Sequence, residues 1–511
     1  MRAAADPELL TGYTPHLSYL PGEAVDVHLS APEPVTGRLV RLTGPAAADG
    51  VPTEPVVGTP AFEVTAPGVH RLPTGSWARV RIAEPVSCDV GFWLLPTHRR
   101  PTRRTVVALR RGAAHVSLGT DADGALEVRA GVDGDSDGTA GAVPIDLALA
   151  RMRWQQVEVR VEPEEVVVVL TVRSQRREVR VPLATALGGA LGPLEVTFAA
   201  SADAQPSGFF DGKVDRPVVG GVEIRTEPDQ LGDALRDPEG VVVGRLVNHP
   251  TRGVTGHTWR DQTGRWTDDP SLYTAVHFHS DDLDDAGWPV AATLTLPADL
   301  TSGLYAVEAR SGAQRDWLPF AVRAATPAAV TVLLPTFTYL AYANEAPFAP
   351  HVPVREDSRD TYATRHALTS LYSYHDDGSG VAYASLRRPL LNLRPDYRYW
   401  LTGYPHGPGA DLAILAFLDH LGVDYDVVTD HDLDADPTLL DGRRALVTGC
   451  HPEYWSRRMM AALEGWLDAS GRLLYFGGNG LYAMVATLPD APHLLELRRR
   501  GAEVGLWEAE P

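Results

Sequence analysis

The stretch Ala329-Val-Thr-Val-Leu-Leu-Pro335 is apolar over most of its length and ends in a proline. A short apolar run that is closed by a turn residue predicts a β-strand. Similar runs follow along the chain, with helical stretches between them. The further predicted strands are residues 425–429, 445–449 and 472–476, and the predicted helices are residues 410–421 and 456–470. Because strands and helices alternate, we expect residues 326–511 to form an α/β domain with a mostly parallel sheet.

Polar and aromatic side chains follow three of these predicted strands, in segments 336–344, 449–455 and 477–480. The loops after parallel strands open onto one crevice, where such domains bind their ligands. We therefore expect the functional residues to lie in these segments. The domain resembles the glutamine-amidotransferase-like folds, in which a nucleophilic cysteine follows a strand on a sharp turn.

The front of the chain is rich in strands of another kind. Residues 19–30 alternate apolar and polar side chains after a Pro-Gly turn, and residues 300–322 repeat this pattern. Such alternation is typical of half-buried strands. We expect the two segments to be edges of one split β-sandwich, made of residues 1–60 and 229–325.

An inserted domain is predicted between these edges, at residues 61–228. Its order of motifs is Gly91-Phe-Trp, then Trp154 before a strand, then Phe209-Phe-Asp-Gly-Lys-Val. This order resembles the lectin-like jelly rolls of the laminin G and concanavalin A type. Its predicted strands are residues 105–109, 154–161, 165–173, 177–181 and 194–198. Inside an enzyme, such a module more often serves as a scaffold or subunit contact than as a sugar site.

The composition excludes several classes of protein. The 511 residues carry a formal net charge of −20, which argues against a nucleic-acid partner because such proteins present a basic face. No window approaches about 18 uninterrupted apolar residues, and the N-terminus lacks the pattern of a secretory signal. Cys88 and Cys450 lie far apart, which argues against a disulfide framework. We expect a cytoplasmic protein.

The segment Gly449-Cys-His-Pro-Glu-Tyr-Trp brings a cysteine, a histidine and a glutamate together at a strand-to-helix junction. Three interpretations are open. In the first, Cys450 is a nucleophile, although the bulky residues after it fit a sharp turn poorly. In the second, His451 and Glu453 cap the helix that begins near Ser456. In the third, Glu453 is a metal ligand.

Tyrosines are concentrated at the same expected edge of the sheet. Tyr339 and Tyr342 follow the first strand, and Tyr372 and Tyr374 lie in a later polar connection. A loop tyrosine usually stacks or forms hydrogen bonds. A phenolate, however, is a hard anionic donor that suits a ferric ion, and a bound cation lowers the phenol pKa from about 10. Spacing alone does not select such a ligand set.

Four motifs resemble the large (beta) subunit of the N,N-dimethylformamidase family, in this order and at similar spacing. They are Leu334-Pro-Thr-Phe-Thr-Tyr-Leu-Ala-Tyr-Ala-Asn, Leu371-Tyr-Ser-Tyr-His-Asp-Asp-Gly-Ser-Gly, Gly449-Cys-His-Pro-Glu-Tyr-Trp-Ser and Phe476-Gly-Gly-Asn-Gly. The resemblance runs over nearly the whole chain. It implies an amide hydrolase that acts on N,N-dimethylformamide or a related small N-substituted amide.

The resemblance also implies a mononuclear Fe(III) that is held by two tyrosines and one glutamate and acts as a Lewis acid. The glutamate corresponds to Glu453 and one tyrosine to Tyr372. The other tyrosine corresponds to Tyr339 or Tyr342, which the motif does not separate.

Two catalytic residues are implied beside this iron. His451 is expected to transfer protons, since an imidazole pKa near 6.5 suits that work. Asn479 is expected to hold the oxyanion.

The family pairs its large subunit with a small helical one, so we expect a separate helical partner and an oligomer. The family's large subunit continues beyond the position of Pro511 and supplies a catalytic carboxylate from there. We therefore expect the α/β domain to be incomplete relative to the family. The alternatives are a non-catalytic carbohydrate-binding or scaffold protein and a Cys450-dependent, amidotransferase-like hydrolase.

Overall fold

The computed structural model of the chain describes residues 9–132, 141–182, 187, 192–227, 232–260, 267–345 and 357–498. These residues divide into two compact units. The first unit contains residues 9–73, Asp285–Ser373 and Tyr383–Arg498, and the second contains Thr74–Asp284 and Tyr374–Ala382. The second unit therefore interrupts the first in the sequence.

Within the described residues, the strands belong to six sheets. The strands before residue 285 are β1 (Thr11–Tyr13), β2 (Ser18–Tyr19), β3 (Ala24–Ser30), β4 (Val35–Leu42), β5 (Thr53–Pro55), β6 (Phe62–Val64), β7 (Trp77–Ile82), β8 (Asp89–Pro96), β9 (Arg104–Arg111), β10 (Ala114–Thr120), β11 (Leu126–Val132), β12 (Val143–Pro144), β13 (Gln155–Val161), β14 (Glu165–Val172), β15 (Gln175–Pro182), β16 (Leu194–Phe198), β17 (Gly212–Val219), β18 (Val222–Glu223), β19 (Ala234–Arg236), β20 (Val242–Val247), β21 (Thr251–Val254) and β22 (Ala275–Phe278).

The later part of the chain mixes strands and helices. The strands are β23 (Val290–Thr295), β24 (Gly303–Ser311), β25 (Gln314–Val322), β26 (Val330–Leu334), β27 (Tyr383–Ser385), β28 (Tyr425–Thr429), β29 (Ala445–Thr448), β30 (Tyr454–Ser456), β31 (Arg472–Leu474), β32 (Ala483–Leu488) and β33 (Ala491–Glu496). The α-helices are α1 (Thr336–Ala341), α2 (Ser358–Arg365), α3 (Pro408–His420), α4 (Asp430–Ala435) and α5 (Arg457–Asp468). Short 3₁₀ helices lie at Pro270–Leu272, Leu391–Leu393 and Pro437–Leu440.

Two antiparallel sheets form the second unit. Their strand orders are β12-β11-β10-β9-β16-β7-β20-β19 and β15-β14-β13-β8-β17-β22-β21, and β18 pairs with β17. In β13, alternate residues are buried, so Val157 and Val159 enter an apolar core that both sheets share. The predicted β-rich character of this region is confirmed. Its likeness to lectin modules stays a prediction.

The strands of residues 234–278 join these two sheets, whereas the sequence predicts them in the split sandwich. β20 pairs with β7, and β22 pairs with β17. The difference arises because short strands carry no pattern that identifies the sheet they join. Strand pairing therefore does not follow the predicted boundary at residue 228, and the remaining domain boundaries stay predictions.

The first unit contains sheets built from both sides of this interruption. β3 pairs with β23, and β4 pairs with β24. The sheet orders are β1-β3-β23 and β2-β25-β24-β4-β5, and β6 pairs with β4. Side chains such as Val27 and Phe320 form their common core. The segment predicted as an edge, residues 300–322, forms β24 and β25.

The four strands of the sheet β28-β26-β29-β31 are parallel throughout. The sheet joins strands that lie far apart in the sequence. The likeness to glutamine amidotransferases stays a prediction. A second small sheet, β27-β33-β32-β30, was not predicted. None of the helices that the structure describes has the length and apolar character needed to span a bilayer.

Candidate metal centre

The segment after β26 folds as the short helix α1, rather than as the loop that the sequence predicts. Every residue of α1 is buried, and Tyr342 follows its last residue. The two candidate tyrosines reach different partners. The Tyr339 hydroxyl donates a hydrogen bond to Asp411, whereas the Tyr342 hydroxyl donates one to Oε2 of Glu453 at 2.8 Å.

Three side chains bring their oxygens together here, and we name Tyr342, Tyr372 and Glu453 the tyrosine–glutamate cluster. The hydroxyls of Tyr342 and Tyr372 lie 2.9 Å apart, and the Tyr372 hydroxyl lies 3.4 Å from Oε1 of Glu453. The two rings stack with their centroids 4.5 Å apart. Tyr342 is 9% exposed and Glu453 is 2% exposed. The structure thus joins Tyr342 to the predicted glutamate and Tyr339 to Asp411.

Backbone hydrogen bonds hold Glu453 in place. Its N–H and that of Tyr454 donate to Oγ1 of Thr338 on α1, at 3.1 and 3.4 Å. Its carbonyl accepts a hydrogen bond from the N–H of Tyr482 at 2.8 Å. The Tyr454 hydroxyl also contacts that of Tyr372. Tyr454 and Thr338 therefore belong to the site, although the only sequence signal for either is its place within a motif.

The helix after the glutamate has its own cap. The Ser456 hydroxyl accepts a hydrogen bond from the N–H of Met459 at 3.1 Å, which makes Ser456 the N-cap of α5. The interpretation that His451 and Glu453 cap this helix is therefore wrong, because the glutamate side chain turns to the tyrosines instead.

The surroundings of Tyr342 disfavour its anionic form. Burial, followed by the neighbouring Tyr372 and Glu453, raises the pKa of the Tyr342 phenol above its ordinary value. Like charges at such distances cannot all be present unless an opposite charge accompanies them. A cation bound between these oxygens would reverse the direction of the shift.

Two histidines lie beside the cluster. Nε2 of His451 lies 3.1 Å from Oε2 of Glu453, and the His451 ring centroid lies 5.5 Å from that of Tyr342. Burial lowers the pKa of His451, and Glu453 opposes this effect. Burial and His451 lower the pKa of His406 to about 4. His406 lies in no recognised motif, so sequence reasoning missed it.

A sequence model of the family described as "N,N-dimethylformamidase beta subunit-like, C-terminal" matches residues 251–511. The chain belongs to this family. Two curated relatives are N,N-dimethylformamidase beta subunits. The one from Paracoccus aminophilus is 39% identical over 286 residues, and the one from Alcaligenes sp. is 37% identical over 285 residues. Each match covers 52% of this chain and 37% of the relative, so the chain spans well under half the length of these relatives.

Solved structures resemble the chain only weakly. A SAP-like pentraxin from Limulus polyphemus is 8% identical with a TM-score of 0.20, and the match covers 37% of this chain and 78% of the pentraxin. A putative carbohydrate-binding protein from Bacteroides ovatus is 10% identical with a TM-score of 0.24, and the match covers 46% of this chain and 95% of that protein.

In this member of the dimethylformamidase beta-subunit family, Cys450 is held in a buried network. Its N–H donates to Oδ1 of Asp411 at 2.6 Å, and Asp411 is fully buried. Burial and the Asp411 carboxylate raise the pKa of the Cys450 thiol above its ordinary value. A protonated thiol is a poor nucleophile, so the surroundings disfavour the alternative of a Cys450-dependent hydrolase.

Asn479 is exposed on the turn that follows β31. Two backbone hydrogen bonds fix this turn, from Gly478 N–H to the Cys450 carbonyl and from Leu481 N–H to the Pro452 carbonyl, each at 3.0 Å. The turn therefore runs along the segment that carries the glutamate. The asparagine itself makes no contact with the cluster among the hydrogen bonds of the described residues.

Proposed function

We propose that this chain is an iron-dependent amide hydrolase in which Tyr342, Tyr372 and Glu453 hold one Fe(III) ion. The observation that carries the proposal is the convergence of two phenol oxygens and a carboxylate in a nearly buried position. The family supports the reaction class, because the relatives are named N,N-dimethylformamidase beta subunits.

The donor set fits a ferric ion. Two phenolates and one carboxylate are hard anionic donors, and together they balance three positive charges. When metal–oxygen bonds are about 2.0–2.2 Å long, neighbouring ligand oxygens lie about 3–3.5 Å apart, depending on the number of ligands. The separations of 2.8, 2.9 and 3.4 Å in the cluster are close to that range. Each oxygen therefore needs only a small shift to bind a common ion.

Bound Fe(III) would supply Lewis-acid polarisation of the amide carbonyl. The residues of the chain then have separate tasks. Nε2 of His451 contacts Oε2 of Glu453, which keeps the ring oriented. The other ring nitrogen, Nδ1, accepts the proton that the attacking water loses and passes it to the leaving amine. The side-chain amide of Asn479 donates a hydrogen bond to the oxyanion that develops on the substrate.

The substrate that we propose is N,N-dimethylformamide or a similarly small N-substituted amide, which the names of the relatives support. Those names also describe beta subunits, which supports an enzyme of several subunits. We propose that a small helical chain is the partner and that the assembly is an oligomer. The cytoplasmic location stays a prediction.

Replacement of the glutamate tests the proposal. In Glu453→Ala, bound iron and amide hydrolysis should fall together by at least about tenfold, because two phenolates alone leave one positive charge unbalanced. Iron per chain is measured by mass spectrometry, and amine release is measured with N,N-dimethylformamide. Glu464→Ala is the matched control, since Glu464 is exposed on α5, and it should keep both. Full iron content in Glu453→Ala would falsify the ligand assignment.

A further inference from the structure

A second group of potential metal ligands lies wholly within the second unit. His279 and Asp282 follow β22, and His375 belongs to the separate segment Tyr374–Ala382. Their potential ligand atoms all lie within 4.8 Å of one another. We name these three residues the histidine–aspartate cluster. It shares no residue with the tyrosine–glutamate cluster.

The distances inside the histidine–aspartate cluster are short enough for one ion, which would require the rings of His279 and His375, now stacked with centroids 3.7 Å apart, to tilt toward it. Nδ1 of His279 lies 3.1 Å from Oδ2 of Asp282, and Nε2 of His375 lies 3.8 Å from Oδ1 of Asp282. The second separation is too long for a hydrogen bond. It is close to the distance between neighbouring ligands of a tetrahedral Zn²⁺ ion with bonds of about 2.0–2.2 Å, which is about 3.5 Å.

The outer nitrogens of both imidazoles have partners of the kind that orient metal ligands. Nδ1 of His375 lies 2.7 Å from Oδ1 of Asp281, and Nε2 of His279 lies 3.0 Å from the hydroxyl of Ser379. The Ser76 hydroxyl donates to Oδ2 of Asp282 at 2.6 Å. A histidine that binds a metal usually engages a carboxylate or another polar group through its other nitrogen, which fixes its tautomer and ring orientation.

An overlapping group of three, His277, His279 and Asp377, is explained without an ion. Nε2 of His277 lies 2.9 Å from Oδ2 of Asp377 and 3.3 Å from the hydroxyl of Thr97. Both separations are hydrogen-bond lengths. These contacts satisfy the His277 ring without a metal. In the histidine–aspartate cluster, by contrast, the 3.8 Å separation between His375 and Asp282 is not a hydrogen bond, and this separation is the reason for placing the ion between His279, Asp282 and His375.

Burial and charge favour a cation at this place. His279, His375 and Asp282 are 0%, 5% and 8% exposed. The carboxylate of Asp281 lies beside His375, and that of Asp377 lies within 4.8 Å of a ring nitrogen of His279. Removing several carboxylates from water costs several kcal/mol each unless a positive charge compensates them. Without an ion, a protonated His375 supplies that charge, because Asp281, Asp282 and Asp377 outweigh the effect of burial and raise its pKa to about 10. A divalent ion bound by two neutral imidazoles and a carboxylate would take the place of that proton.

We propose that His279, Asp282 and His375 bind a divalent transition-metal ion, Zn²⁺ in the first instance, with water as the remaining ligand. Imidazole and carboxylate ligands suit this ion. The ligands are nearly buried and come from two separate segments, so the ion acts as a cross-link within the second unit. It ties the segment Tyr374–Ala382 to residues about one hundred positions earlier in the chain.

Metal analysis of the full chain tests this site separately from the iron site. The chain is stripped with a chelator, supplied with Zn²⁺ alone, desalted and assayed for zinc per chain. We expect about one zinc per chain, and Glu453→Ala should retain it. At the same free zinc concentration, the zinc occupancy of Asp282→Asn and of His375→Gln should be at least tenfold lower. His249→Gln is the matched control, since His249 pairs with Asp284 in the same unit, and it should keep the zinc.

Several results would overturn the proposed zinc site. Loss of zinc in Glu453→Ala together with full zinc in Asp282→Asn would place the zinc in the iron site and overturn the proposal. A wild-type chain without stoichiometric zinc would also overturn it. If the Asp282 and His375 variants fail to fold, zinc X-ray absorption of Glu453→Ala decides, because this variant lacks the carboxylate of the tyrosine–glutamate cluster and, with it, the contact to His451. Scattering from two imidazoles per zinc supports the proposal, and scattering without imidazole contradicts it.

Discussion

At the scale of single residues, Asp411 connects two side chains that the sequence offers as candidates for chemistry. It accepts hydrogen bonds from the Tyr339 hydroxyl and from the N–H of Cys450. Burial raises the pKa of the Asp411 carboxyl, and these hydrogen bonds oppose the shift. Because Tyr339 and Cys450 both form hydrogen bonds with this buried carboxyl, we interpret them as a structural network beside the site.

The first prediction concerns the thiol. Cys450→Ser should keep hydrolysis within about threefold of wild type, since the raised pKa leaves little thiolate to act as a nucleophile. Amine release with and without prior thiol alkylation is the measurement. Loss of about a hundredfold or more in the variant, at unchanged iron content, would restore the cysteine-dependent alternative.

At the scale of elements, helix α1 supports the site through Thr338. Its hydroxyl accepts the backbone N–H groups of Glu453 and Tyr454, and the side chain is 1% exposed. In Thr338→Val the shape is nearly kept, but both donors lose their acceptor. We expect iron affinity to fall by about tenfold to a hundredfold, as for other groups that orient metal ligands.

Thr338→Ser is the control for this prediction, because serine keeps the hydroxyl and loses only a methyl group. A chelator competition that follows iron release measures the affinity of both variants. Equal iron affinity in Thr338→Val and wild type would show that α1 does not position the glutamate.

The residue pattern predicts some elements better than others. Strand β26 can be predicted because it is a short apolar run. Helix α5 can be predicted because it is long enough to show apolar residues at helical spacing. Helix α1 cannot, because it has only six residues and two of them are threonines of low helix propensity. Its burial in the first unit outweighs that propensity.

The candidate site shows the same limit. Glu453 and Tyr372 lie in motifs that resemblance identifies. The choice between Tyr339 and Tyr342 depends on partners 72 and 111 residues away along the chain, which no local pattern encodes. The histidine–aspartate cluster was missed for the same reason, since its segments are separated by about one hundred residues and share no ligand spacing.

At the scale of the whole molecule, Asp360 makes stability depend on pH. Burial raises its pKa to about 6, and the hydrogen bond from the Tyr397 hydroxyl opposes the shift. Since the folded pKa exceeds the unfolded value of about 4, the protonated carboxyl stabilises the fold below pH 4. That contribution is lost as the pH rises through 6. It amounts to at most about 3 kcal/mol, and to less in practice because the side chain is partly exposed.

Asp360→Asn keeps an acceptor for Tyr397 and removes the titration. Between pH 4 and 6, the free energy of unfolding of the wild type should decrease as Asp360 loses its proton. That of Asp360→Asn should decrease less, because the titrating group is absent. Denaturant unfolding at several pH values in this window provides the comparison. Parallel pH profiles for the two proteins would refute the role of Asp360.

The claim on which the proposed function rests is that Tyr342 and Tyr372 are phenolate ligands of one ferric ion. The most direct measurement is the visible charge-transfer absorption from phenolate to Fe(III) in the iron-loaded chain, compared with Tyr342→Phe and Tyr339→Phe. Each substitution removes one hydroxyl and keeps the ring. We expect the band to be lost or strongly shifted in Tyr342→Phe and unchanged in Tyr339→Phe, whose hydroxyl reaches Asp411. An unchanged band in Tyr342→Phe would contradict the iron site that the structure supports.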